Sequence, residues 1–183
     1  MLCLTMAVSL TVGPLQLPEP LPELAAIDLT TEVAAPVDSV WTAWTTQVGA
    51  TSFFAPAAHV ELRMGGHYDI YFHPDSATGQ RGGEGLRVLS YLPRHMMSFE
   101  WMAPPEFTRV NQHRTFVVVT IDSVGPRRTR VALSHRGWYW DDADWRQVHG
   151  FFEQAWPMVL RNLRHRFEVG PIDWKDPKFN YGG

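Results

Sequence analysis

A single cysteine, Cys3, occurs in the 183 residues of the chain. A lone thiol cannot close an internal disulfide, and it excludes a zinc site built from thiolates and a dithiol redox motif. From Ile27 onward there is no cysteine at all, so the body of the chain tolerates either redox compartment. Runs of Lys or Arg are also missing, and 16 basic against 19 acidic residues leave a net charge of -3. Nucleic acid therefore finds no basic footprint and is not an expected partner. No apolar run is long enough to span a bilayer. The chain likewise lacks a phosphate loop, a Gly-x-Ser-x-Gly nucleophile elbow and a His-Glu-x-x-His helix, and no cofactor is expected.

What the chain has in quantity is aromatic: 8 Trp, 10 Phe and 5 Tyr. Such side chains bury much area with few rotors, and they build cores and line apolar pockets equally well. Hydrophobic residues at 45% and charged residues at 19% are a globular composition, and the length suits one domain. No internal repeat interrupts it.

Residues 1–26 read differently from the rest. "MLCLTMAVSLTV" is apolar without a charge, and "PLQLPEPLPELAA" is Pro-rich. The apolar part is too short to span a bilayer and fits a signal-peptide core, although no basic residue precedes it. Export, periplasmic or secreted, is favoured over a cytoplasmic location. This stretch holds Glu19 and Glu23 and no basic residue, so the remainder carries a net charge of -1.

Next comes "IDLTTEVAAP", a strand with Ile27, Leu29, Thr31 and Val33 on one side. Pro36 opens a helix with Val37, Val40, Trp41 and Trp44 on one stripe, and "TSFFAP" predicts a second short helix before Pro56. Three hairpins follow, turning at Gly65-Gly66, at Pro93-Arg94 and at "SVGPR". The last element is a long helix with Trp145, Val148, Phe152, Trp156, Val159, Leu163 and Phe167 on a continuous stripe. Asp141, Asp142 and Asp144 stand at its start and Arg161, Arg164, His165 and Arg166 at its end, as the helix dipole favours. Pro157 should kink it, at a cost of about 3 kcal/mol.

The fold class is thus α+β, with an antiparallel sheet of about seven strands wrapped around the long helix and two short helices after the first strand. The domain is expected over 27–168, with 169–183 as a tail.

This order, with "GGHYDIYF", "GEGLRVLSYLPRHMMSFEW" and "TRVALSHRGW", resembles the SRPBCC (START-like) superfamily. Within it, the chain looks most like the branch named after the activator of the heat-shock-protein ATPase. The resemblance implies a helix-grip fold with a deep, mostly apolar cavity between sheet and helix. It also implies binding of lipids, sterols or polyketides, with some members cyclising or dehydrating polyketides and one branch stimulating a chaperone. No shared catalytic set transfers onto these residues.

In the first hairpin, a "GGH" loop pairs Met64 with Tyr68, Leu62 with Ile70 and Val60 with Phe72, gathering the apolar side chains on the concave face. His67 falls in the turn. Asp69, Tyr71 and His73 go to the outer face with His59, Glu61 and Arg63. A metal held there by Asp69 and His73 with Glu61 or His59 is outweighed by a solvated polar face, and no metal ligand set is expected. In the second hairpin Val88 pairs with Phe99 and Leu86 with Trp101, and Glu100 lies outside beside Arg87, away from any role as a base.

His135 follows Val131 and Leu133 at alternate positions and points toward the cavity, where desolvation would poise it as an acid or base. A core or rim histidine bonded to a backbone carbonyl is the more ordinary reading. Glu84, between two glycines, either reaches the cavity mouth or caps a loop. The candidate ligand-binding residues are Trp44, Phe54, Phe72, Phe99, Trp101, His135, Trp138, Phe152 and Trp156, with Trp140 also near His135. The function expected is non-catalytic binding of a small hydrophobic ligand. The alternatives are a cyclase or dehydratase using His135, and a co-chaperone-type interaction module.

Overall fold

A computed structural model of the protein describes residues 26–138 and 143–179. Residues 1–25, which include the apolar stretch expected to be a signal-peptide core, and residues 139–142, with Trp140 and the Asp141–Asp142 pair, lie outside the described residues.

Strand β1 (Ile27–Val33) buries Ile27 and Val33 and turns Asp28 and Thr30 to water. Helix α1 (Val37–Thr45) begins after Pro36 and buries Val40, Ala43 and Trp44. The second helix, α2 (Gln47–Thr51), starts four residues earlier than "TSFFAP" predicts. Its cap explains the difference, because the Thr46 hydroxyl accepts the Gly49 N–H at 3.0 Å. Gly49 also lets α2 press on α1, since a Cβ there would sit 2.2 Å from the Thr42 carbonyl oxygen. Phe53 and Phe54 leave the helix in a turn, both N–H groups bonding Ala50 O, and both rings are fully buried.

Seven more strands follow: β2 (Ala57–Val60), β3 (Tyr68–Tyr71), β4 (Gly82–Gly83), β5 (Val88–Leu92), β6 (Met96–Trp101), β7 (Thr115–Gly125) and β8 (Arg128–Arg136). They form a five-stranded sheet in the order β1-β8-β7-β6-β5 and a three-stranded sheet in the order β2-β3-β4, with all pairings antiparallel. Backbone bonds join the two: Gly65 N–H to Val88 O at 2.8 Å, Val88 N–H to Gly66 O at 2.9 Å and Tyr68 N–H to Leu86 O at 3.0 Å. β4 and β5 are thus two lengths of one line broken between them. Counted that way the surface has the seven strands expected.

The break is patched by a side chain. Asp69 Oδ1 accepts the Leu86 N–H at 3.0 Å, which satisfies a buried donor that the interrupted ladder cannot.

The first hairpin departs from the expected register. Val60, not Met64, pairs with Tyr68, and Ala58 pairs with Ile70. The connecting loop coils on itself, with Arg63 N–H to Glu61 O at 2.7 Å and Gly66 N–H to Arg63 O at 2.8 Å, and Met64 is 71% exposed. The second hairpin keeps Val88 opposite Phe99 as expected. Its turn is one residue longer, closed by His95 N–H to Leu92 O at 3.0 Å, and the register shift between Val88 and Ser90 absorbs the extra residue.

Helix α3 (Ala143–Glu168) runs 26 residues through Pro157 without interruption. It packs its buried stripe of Trp145, Val148, Phe152, Trp156, Val159 and Leu163 against the sheet, giving the helix-grip arrangement of an α+β fold. The segment after it docks back on the molecule: Ile172 N–H bonds Ser52 O at 2.9 Å, and the Trp174 indole bonds Thr51 O at 2.7 Å. Among the described residues no helix is long and apolar enough to cross a membrane.

Candidate functional site

Between α3 and the sheet lies a cavity of about 730 Å³. Phe54 from the turn after α2, Phe72 beside β3, Trp101 at the end of β6, and Phe152 and Trp156 from α3 supply its rings. Phe54 stacks on Trp101 with centroids 5.6 Å apart, Trp101 meets Trp156 at 5.1 Å, and Phe152 stacks on Trp156 at 6.0 Å. Met102, Ala103, Pro104 and Pro105 carry the wall past β6. The polar lining consists of His73, Gln80, Glu106 and Gln154, all exposed, so polarity collects at the mouth. Phe151, 44% exposed, also lines the opening.

Sequence reasoning did not single out Phe151, Met158, Glu106 or Gln154. The available signal was Phe151 itself, an aromatic residue next to Phe152 but off the buried stripe.

The other candidate residues lie behind this wall. Trp44 is fully buried with its ring edge-on to Phe53 at 5.0 Å and to Phe54 at 5.6 Å. Phe99 packs between Tyr68 at 4.3 Å and Trp101 at 5.8 Å. Trp138 covers His135 with centroids 4.3 Å apart and donates its indole N–H to His135 O at 3.2 Å.

His135 sits on β8, 0% exposed, and does not line the cavity. Its partner is a side chain rather than a backbone carbonyl on each ring nitrogen: Trp156 Nε1 lies 2.9 Å from Nδ1, and Thr115 Oγ1 lies 2.7 Å from Nε2. An indole N–H can only donate, so Nδ1 is the bare acceptor and Nε2 carries the hydrogen that it donates to Thr115. Burial pushes the His135 pKa well below its ordinary 6.5, and the nearby His149 adds to the effect, so the ring is neutral.

Glu84 caps a loop. Its carboxylate accepts the Arg81 backbone N–H at 2.9 Å and the Arg81 Nε–H at 2.8 Å. Burial alone would raise its pKa, but these bonds and the guanidinium charge hold it below the usual carboxylate value.

The outer face of the first hairpin is not simply a solvated one. Asp69, expected there in water, is 4% exposed, because it patches the break between β4 and β5. Its other oxygen, Oδ2, accepts the Tyr71 hydroxyl at 3.3 Å and lies 3.0 Å from His67 Nδ1. Burial, with the Asp69 charge alongside, raises the Tyr71 pKa.

Residues 34–168 match the family described as Activator of Hsp90 ATPase homolog 1-like protein. Among solved structures, protein MLL2253 from Mesorhizobium loti superposes with a TM-score of 0.64 at 18% identity, covering 81% of this chain and 100% of that one. The Aha1 dimer from Colwellia psychrerythraea gives 0.62 at 18% identity over 80% and 98%. CalU16 from Micromonospora echinospora gives 0.57 at 19% identity over 84% and 78%. Likeness at such identities is one of fold. No curated protein is significantly similar to the chain. The sheet gripping α3 and the match over residues 34–168 agree, and the chain belongs to the family of Activator of Hsp90 ATPase homolog 1-like proteins, within the SRPBCC superfamily.

Proposed function

We propose that the protein binds a small, largely apolar molecule between the sheet and α3 and carries out no reaction on it. The observation that supports this reading is the cavity of about 730 Å³ walled by Phe54, Phe72, Trp101, Phe152 and Trp156, with polar groups gathered at its mouth. That volume lies in the range of ordinary small-molecule sites, and ring-lined pockets with a few polar groups hold ligands by excluding water. Lipids, sterols and polyketides, the ligand classes implied by the superfamily resemblance, all have the required apolar bulk. In this reading His135 acts as a positioning residue. It holds Trp156 in the wall and fixes that wall's shape.

Native mass spectrometry of the purified protein tests the proposal. A co-purifying molecule of low mass, released by organic solvent, is the expected result. A clean ligand-free mass, with no thermal shift across a panel of fatty acids, sterols and aromatic polyketides, would overturn it.

A further inference from the structure

We propose that His59, His67 and Asp69 form a binding site for a divalent transition-metal ion of the zinc type on the outer face of the β2–β3 hairpin. This departs from the sequence expectation of no metal ligands. The reason is the coiled loop between β2 and β3, which returns His67 to the face that carries Asp69 instead of leaving it in a tight turn.

The backbone brings the three residues together. His59 and Asp69 are directly opposed across the strands, and His67 lies two residues before Asp69. The His67 backbone is itself anchored, because its carbonyl accepts the Glu61 N–H at 2.8 Å. One ligand atom from each side chain falls within 4.8 Å of the other two. His67 Nδ1 is 3.0 Å and His59 Nδ1 3.8 Å from Asp69 Oδ2. A tetrahedral ion with bonds of about 2.0 to 2.1 Å holds neighbouring donors about 3.3 Å apart, a value these separations bracket.

The surroundings have the character of a supported site. Leu86 N–H and Tyr71 Oη–H both bond Asp69, fixing a carboxylate that is 4% exposed. Groups of this kind orient metal ligands. The two imidazoles remain reachable, with side chains 32% and 44% exposed. Their rings lie stacked, centroids 4.6 Å apart and planes inclined by 23°. Ligation therefore requires each ring to swing so that its lone pair meets the common point, a movement of two partly exposed side chains. Glu61 is held by Arg63 at 2.8 Å, so water takes the fourth position.

Two imidazoles and one carboxylate suit Zn²⁺ and its neighbours, whereas Mg²⁺ and Ca²⁺ prefer all-oxygen shells. The site lies on the opposite face of the sheet from the ring-lined cavity, so it is independent of ligand binding there. Through Asp69 and Leu86 it also reaches the broken strand, and an ion bound only by the folded chain would stabilise that junction.

The test is calorimetric titration of the full chain, freed of any affinity tag, with ZnCl₂, paired with visible absorption on adding Co²⁺. One equivalent of ion should bind and raise the thermal midpoint. His59→Ala and His67→Ala should each weaken binding about tenfold or more, as loss of even a supporting group can. His95→Ala, at an exposed histidine outside both the trio and the cavity, should bind as the parent does. Circular dichroism checks that each variant folds; these histidines are partly exposed, unlike Asp69, whose replacement would disturb the strand junction. Absence of saturable binding in the parent, or equal binding in the His59→Ala/His67→Ala double variant, would overturn the proposal.

Discussion

Trp156 donates its indole N–H to Nδ1 of His135 at 2.9 Å, so a ring that walls the cavity is tied to a buried imidazole on the sheet. Trp101, its neighbour in that wall, is as deeply buried, yet its Nε1 has no hydrogen-bond partner among the described residues.

The contrast predicts unequal costs for one substitution. Trp156→Phe leaves His135 Nδ1 buried without a donor, a loss of about 1 to 3 kcal/mol beyond the change in packing. Trp101→Phe removes an unpartnered donor and should cost only the packing difference. Urea denaturation of the two variants checks the order.

Acid should destabilise the fold through His135. Its folded-state pKa is depressed, so above about pH 6.5 neither state binds the proton and its contribution is flat. Below that value the unfolded chain takes up a proton that the folded chain refuses. Unfolding free energy then falls by up to about 1.4 kcal/mol per pH unit until the folded-state pKa is reached. Denaturation at steps between about pH 7 and about pH 5 measures the slope. In His135→Gln that slope should shrink by about one proton.

Cavity and core separate at two adjacent positions. Phe151→Ala, at a residue 44% exposed that lines the cavity, should change stability by less than about 0.5 kcal/mol while weakening a retained ligand several-fold. Phe152→Ala, at a residue 5% exposed, should cost about 3 to 5 kcal/mol. Thermal melts with and without the ligand found by mass spectrometry distinguish the two effects.

Gly65 and Gly66 should differ as sharply. A Cβ on Gly66 would sit 2.2 Å from the Glu61 carbonyl oxygen, so alanine must move backbone that also bonds Val88. A loss of about 2 kcal/mol or more is expected. Gly65→Ala meets open space and faces only its positive φ of 71°, a cost of about 1 kcal/mol. Chemical denaturation of the two alanine variants checks the ranking.

Much of this architecture is written in the spacing of side chains. The faces of the first hairpin could be read although its register could not: the true pairing is displaced by four residues, an even number, and a period of two is blind to even slips. Tyr68 and Ile70 therefore face inward in either register. The position of α2 was hidden because Thr46 and Gly49 act through a cap and a close helix contact, neither of which leaves an apolar stripe. His135 follows its strand's alternation inward, but alternation gives direction without depth. Whether an inward residue meets a cavity or another ring depends on where α3 lies above it. Asp69 was illegible for a different reason: it serves a backbone donor 17 residues away, across a break that only the folded chain contains.

The indoles of Trp101 and Trp156, 5.1 Å apart and inclined by 49°, are close enough for their electronic transitions to couple. Near-ultraviolet circular dichroism of such a pair depends on the angle and distance between the rings, and it fades when packing loosens. The wall of the cavity is therefore its own optical gauge, and any molecule that shifts one ring against the other announces itself without a label.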